Sequence, residues 1–186
     1  LAHSAVHTFC HAIPKTWYQM GVMLSATDSL NWLSSITGKS PKELSEGLGH
    51  KINGPSFEKF YPYLSGERTP LNDAHIRGGF SGLSTSSNRI KLTQAVLEGV
   101  AFALCDCLEV LKKAGPCPDQ LLAIGGGSRS RFWLETIATT LNTTIARPID
   151  GEYGAAMGAA RLAILGKTSE PLENIISHPN ISEIIE

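Results

Sequence analysis

The feature that most constrains this chain is a strand that runs straight into three consecutive glycines and then a helix. Gln120 to Ile124 is short and apolar and reads as a buried strand; Gly125-Gly126-Gly127-Ser128-Arg129-Ser130 follows as a tight loop, and a helix continues through Leu141. Glycines after a strand let backbone approach a ligand closely, and a helix start offers free N–H groups and the positive end of the dipole. The unit therefore suits a phosphate. A turn selected only for packing explains the same residues, and both readings stand on the loop alone. Two better-known phosphate motifs are excluded. Gly38-Lys39-Ser40 carries a GKS ending, but Leu33 stands where the P-loop needs Gly, and the triplet lacks the third Gly of the dinucleotide fingerprint.

Around this unit the chain reads as one α/β domain of 186 residues. Val6 to Ala12 alternates as a strand up to Pro14, and a helix is expected from about Val22 to Thr37, with Leu24, Leu30, Leu33 and Ile36 inward and Gly38 ending it. Ser40-Pro41-Lys42-Glu43 is a capping box with Pro at the first helical position, opening a short helix to about Leu48. Phe60 to Leu64 and Gly79 to Leu83 read as short extended segments on either side of a turn-rich stretch. The longest element is a helix from about Ile90 to Ala114, with Asn88 as its cap, Leu97, Val100, Leu104, Leu108 and Leu111 at helical spacing, and Gly115-Pro116 as its stop. A strand over Thr143 to Arg147 and a small-residue helix over Ala155 to Leu165 complete the strand–helix alternation, and a polar tail is expected from 167 to 186.

Composition narrows the function classes. With 42% hydrophobic residues the chain can build a core, and a net charge of -1 leaves no electrostatic footprint for nucleic acid or an anionic membrane. No apolar run is long enough to span a bilayer. Cys10, Cys105, Cys107 and Cys117 form neither a zinc pattern nor a disulfide framework, so free thiols in a reducing cytoplasm are expected. His3, His7 and His11 recur every four residues, but on a strand that places them ~13 Å apart, too far for one ion. Gly154 with Gly158, and Ala155 with Ala159, share helix faces that favour close backbone packing over a ligand site. Glu67-Arg68 reads as a surface ion pair, with anion or sugar binding as the alternative.

Taken in order, several stretches resemble the FGGY family of carbohydrate kinases, on its pentulose-kinase side. They are Val6 to Ala12, Met23-Leu24-Ser25-Ala26, Tyr63-Leu64-Ser65-Gly66-Glu67-Arg68-Thr69-Pro70 and Gly79 to Leu83. Ala95 to Leu104, Gly125 to Ser130 with Trp133, and Gly151-Glu152 leading to Gly158 to Ala163 complete the set. The resemblance covers the chain to about residue 166 and implies a ribonuclease-H-like, actin-like ATPase domain, the C-terminal one of two. It implies that residues 1–166 form the nucleotide side, with ATP and Mg²⁺ as cofactors and a ketopentose bound together with an N-terminal domain. The catalytic base is expected in that other domain, as are the main phosphate loops. It places Gly126 and Gly127 against the phosphates and Ser128 and Arg131 near the adenosine, counts Gly125 with them as nucleotide-binding, and implies no metal ligand in this chain. Lys91 departs from the family pattern, and the family's Tyr- and Arg-rich terminal helix has no counterpart after Ser169. The expected activity is that of a cytoplasmic kinase forming xylulose 5-phosphate, the fragment alone being inactive, with no nucleic-acid or membrane partner and homodimerisation left open. Another FGGY kinase acting on ribulose, gluconate or glycerol is the first alternative. A non-catalytic actin-like domain is the second.

Overall fold

The computed structural model describes residues 5–116 and 118–186, so the His3 and Cys117 readings lie outside the described residues. Its first elements are β1 (Val6–Cys10), β2 (Trp17–Gly21), α1 (Thr27–Thr37), α2 (Pro41–Glu46), β3 (Lys59–Tyr61) and β4 (Gly79–Ser81). The long helix α3 (Arg89–Ala114) leads to β5 (Gln120–Leu122), α4 (Arg131–Leu141), β6 (Thr144–Pro148), α5 (Gly154–Lys167), α6 (Leu172–Ile175) and β7 (Ile181–Ile185). Two antiparallel pairs, β1 with β2 and β3 with β4, accompany a three-stranded sheet in which β5 runs parallel and β7 antiparallel to the central β6.

The spine is α3. Asn88 Oδ1 caps it by accepting from the Lys91 N–H at 3.1 Å, and Ala95, Val96, Leu97 and Val100 bury one face against Leu30, Leu33, Leu44, Phe60, Phe132 and Trp133. Strand β3 crosses this face at backbone distance. A Cβ on Gly99 would lie 2.3 Å from the Phe60 carbonyl oxygen, so only glycine permits the crossing. Two buried carboxylates tie the polar loop before β3 to the same helix. Glu98 accepts from the Ser56 N–H and from Gln94 Nε2 at 2.7 Å, while Glu58 accepts from Ser87 Oγ at 2.6 Å and Ser56 Oγ at 3.1 Å. The Ser87 hydroxyl is the main reason the Glu58 carboxyl sits below its ordinary pKa. The capping box at Ser40 is formed in both directions, and Gly38 ends α1 in the left-handed conformation (φ 66).

Six expectations are corrected. Helix α1 starts at Thr27 and not at Val22, because the backbone of the preceding segment is already committed. Val22 exchanges hydrogen bonds with Thr69, and Leu24 N–H donates to Glu67 Oε1 at 3.0 Å. Leu24 and Ile36, expected inward, are exposed. Strand β5 is not buried: Leu122 and Ile124 face outward, and Leu121 packs inward on Leu134, Ala138 and Ile145. The polar tail contains β7, whose Ile185 is 2% exposed and completes that cluster. Its single buried isoleucine, set among exposed residues, left no periodic signal. The small-residue face of α5 does not carry the packing expected of it. Gly154 meets Ile124 Cδ1 at 3.2 Å, but among the described residues nothing comes within 4 Å of a Cβ at Gly158. That helix also runs through Gly166 to Lys167.

Cys10, Cys105 and Cys107 are free thiols. Cys107 is buried, donates to the Thr69 carbonyl at 3.3 Å, and has its pKa pushed up to about 12 by burial, so it is an inert core group. If β7 is part of the folded sheet, Ile185→Ala should lower unfolding free energy by about 2–5 kcal/mol. The neighbouring exposed Ile184→Ala should stay within about 0.5 kcal/mol of the wild type. Urea denaturation of the two variants checks this.

Candidate nucleotide site

Because β5 and β6 are parallel, both strands end at the same edge of the sheet, and each is followed there by a glycine turn. The first turn, Gly126–Arg129, is a single 3-10 turn entered through Gly125 at φ 86; the second, Gly151–Tyr153, is another, entered through Asp150 at φ 57. A hydrogen bond from Gly125 N–H to the Gly151 carbonyl (3.1 Å) joins them, and so does an ion pair from Arg129 to Glu152 at 2.8 Å. That guanidinium is the main cause that lowers the Glu152 pKa. Ligands of α/β sheets bind in this position, beyond the carboxyl ends of parallel strands.

The triplet is shaped differently at each glycine. Gly125 needs its freedom because its φ lies in the region that side chains avoid. Around Gly126 the space is open, with nothing within 4 Å of a Cβ built there. Gly127 is pressed onto the core: its Cβ would stand 3.0 Å from Trp133 Cζ3 and 3.6 Å from Thr27 Oγ1. Of the turn's N–H groups, those of Ser128 and Ser130 donate to the Gly125 and Gly127 carbonyls. The groups of Gly126 and Gly127 open the turn and have no partner within it.

Helix α4 does not begin directly at the triplet. Ser130 caps it by accepting from the Trp133 N–H at 3.3 Å, so the glycine turn and α4 are separate elements joined at that cap. Ser128 is buried, and its hydroxyl donates to the Gly125 carbonyl at 2.7 Å, fastening the turn from inside. Arg131 lies at the first position of α4, where its Nε donates to Glu135 at 2.9 Å and its guanidinium also pairs with Glu183 of β7. Arg147 joins Glu183 from β6 at 3.0 Å. The structure thus brings Gly125 to Ser128 together at the edge, with Arg131 in an ion-pair network beside it.

Sequence reasoning missed Thr27. Thr27, the first residue of α1, abuts Gly127, and the N-cap residue Ala26 offers no side-chain cap. An uncapped N-terminus leaves backbone donors open on the glycine side. No local signal marks this, because the two segments are 100 residues apart. Glu67, read from the sequence as half of a surface ion pair, is instead buried.

The description "FGGY family of carbohydrate kinases, C-terminal domain" matches residues 2–166, so the chain belongs to that family and has its α/β, actin-like ATPase domain. Xylulose kinase of Escherichia coli is 40% identical over 168 residues, 90% of this chain, and that of Staphylococcus epidermidis is 41% identical over 165 residues, 88% of this chain. A crystal structure described as a xyloylose kinase from Brucella ovis superposes with a TM-score of 0.91 at 53% identity, covering 99% of this chain and 38% of that one. The chain spans about a third of the length of the two curated relatives (35% and 33%).

The geometry separates three substitutions by stability alone. Gly125→Ala should cost about 1–2 kcal/mol through its left-handed backbone. Gly127→Ala should cost about 1–3 kcal/mol through overpacking on Trp133. Gly126→Ala should be neutral or stabilising by up to about 1 kcal/mol. Denaturant melts of the three proteins give the ranking.

Proposed function

We propose that this chain is the nucleotide-side domain of an ATP-dependent xylulose kinase, which forms xylulose 5-phosphate together with an N-terminal domain. The observation that carries the reading is the pair of bonded glycine turns at the carboxyl ends of β5 and β6, one of them with an open face. The names of its relatives support the sugar. In this reading the N–H groups of Gly126 and Gly127 hold phosphate oxygens, and Gly125 gives the turn its direction. Ser128 keeps its shape, and Arg131 stands on the adenosine side.

The chain's contribution to chemistry is positional and electrostatic. Phosphoryl transfer needs the phosphates aligned with the acceptor hydroxyl and their charge met by fixed donors; backbone N–H groups on a turn anchored to the core provide such donors without reorganising. Closing this domain over the other excludes water from the transfer. Among the described residues no group of three or more His, Cys, Asp or Glu could hold a metal ion; in this reading Mg²⁺ enters with the nucleotide, where the phosphates and waters would supply most of its ligands and its charge would offset theirs. The sugar's general base belongs to the N-terminal domain, and the assembled enzyme is placed in the cytoplasm, with homodimerisation compatible with this reading. No described helix is long and apolar enough to cross a membrane.

The 186-residue chain should therefore show no turnover of xylulose in a coupled ADP-release assay, yet be stabilised by ADP. At ten times its Kd a ligand adds about 1.4 kcal/mol, which moves a melting midpoint by a few degrees. Thermal melts with millimolar ADP, millimolar xylulose and neither are the measurement. The expected result is a shift with ADP alone, lost in Gly126→Val, whose added methyls occupy the open face without touching the core. A shift with xylulose alone, or an undiminished ADP shift in Gly126→Val, overturns the assignment.

A further inference from the structure

The stretch Ser65-Gly66-Glu67-Arg68-Thr69-Pro70 has no part in the site described above, yet it contains two of the most deeply buried polar side chains in the protein. Glu67 is 2% exposed and Thr69 1%. The loop is rigid at Glu67, whose N–H and carbonyl both pair with Asp73 (2.8 and 2.9 Å). Gly66, at φ 81, lies so close to Ala74 that a Cβ would stand 2.8 Å from its carbonyl oxygen. From this base both side chains reach across to the segment ahead of α1. Thr69 Oγ1 accepts from the Val22 N–H at 2.9 Å and donates to the Ala5 carbonyl at 2.6 Å, while its own N–H donates to the Val22 carbonyl. Glu67 Oε1 accepts from the Leu24 N–H at 3.0 Å and from the Arg68 N–H at 2.7 Å, and Oε2 is buried without a partner among the described residues.

The tethered segment leads directly to the glycine turn. Thr27 is three residues on from Leu24, at most ~11 Å of chain, and Thr27 is the residue that abuts Gly127. Met23 and Ala26 pack on the cluster that contains Trp133, the ring beneath Gly127. The segment has no helix or strand of its own to fix it, and α1 begins there uncapped. Besides the packing of Met23 and Ala26 and the Thr69 N–H on the Val22 carbonyl, its backbone N–H groups are held by side-chain acceptors, of which the Glu67 carboxyl is the last before the helix.

We propose that Glu67 is a positioning residue for the nucleotide end of the site: as an acceptor for the Leu24 N–H it holds the start of α1 against the Gly125–Gly127 turn, so that both sets of backbone donors face one phosphate group. This rests on the nucleotide reading above. The task requires an acceptor at the right reach and not a charge. Burial in fact pushes the Glu67 carboxyl above its ordinary pKa, against the Arg68 and Leu24 N–H groups that pull it down. A buried oxygen with no partner is a standing cost, and its retention beside a functional segment calls for an explanation of this kind.

The test compares Glu67→Gln, Glu67→Asp and Glu67→Ala in the 186-residue chain by calorimetric titration with ADP, with circular dichroism at the titration temperature to establish folding. Glutamine keeps the Oε1 acceptor at full length and should bind ADP within about twofold of the wild type. Aspartate keeps the charge but falls a methylene short; it and alanine should each raise the ADP Kd about tenfold or more in folded protein. Three results overturn the proposal. The Gln variant could lose as much as the Ala variant, which makes charge the requirement. The folded Asp and Ala variants could bind ADP normally. Or both could fail to fold, which makes Glu67 a residue of general stability. Gly126→Val separates this failure from that of the underlying reading, because an unchanged Kd in that variant removes the nucleotide from the glycine turn altogether.

Discussion

The site depends on one indole. Trp133 is 4% exposed; its Nε1 donates to the Leu97 carbonyl in the middle of α3 at 3.1 Å, and its backbone N–H is capped by Ser130. Its six-membered ring forms the floor on which Gly127 rests. A bulky aromatic with its polar edge satisfied is rigid and costs little to bury. Through it the glycine turn is referenced to the longest helix of the protein instead of floating on a loop. The bond also meets a carbonyl inside a helix, which already accepts from its own turn, so α3 is fixed at a point of high local order. Donors aimed at a charged group act without reorganisation only when their support is fixed in this way.

The same logic explains why so many polar side chains lie deep in a small domain. Glu58, Glu67, Glu98 and Thr69 are all nearly inaccessible; the last three accept from backbone N–H groups of segments with little secondary structure of their own, and Glu58 joins the Ser56 and Ser87 hydroxyls. Short strands and long connections leave many N–H groups without ladder partners, and each must be satisfied. Buried carboxylates and hydroxyls take the place of missing strands. They also set where α1 and β3 sit relative to α3, which in turn sets where Thr27 meets Gly127.

What the sequence disclosed follows the range of the interactions involved. The α3 helix, its Asn88 cap, the Ser40 capping box and the turn at Gly38 were legible because each is decided within a few residues. The glycine loop was legible because three glycines between a strand and a helix admit few uses. Strand β2 was not, since Trp17 to Gly21 lacks alternation and is a strand only by pairing with β1. The tail strand β7 owes its order to β6 and to Glu183, which pairs with Arg131 and Arg147. The false start of α1 at Val22 came from reading apolar residues as helix when distant Thr69 and Glu67 had claimed their backbone. At the glycine turn the sequence marked the segment but not how each residue in it packs. Only coordinates show that Gly126 is open, that Gly127 is pressed on a ring, and that Ser128 faces inward.

The central claim is that two glycine turns and the start of α1 form one phosphate-binding edge. Mapping backbone amide chemical shifts of the 186-residue chain during titration with ADP tests it most directly, since it reports each N–H separately. The account predicts that the largest and saturable changes fall on Gly126 and Gly127, with Thr27 and the Gly151–Gly154 turn following, while the β1–β2 hairpin and α2 stay unmoved. Changes centred on the hairpin or on α2, or none at the glycine turn up to saturation, would contradict it.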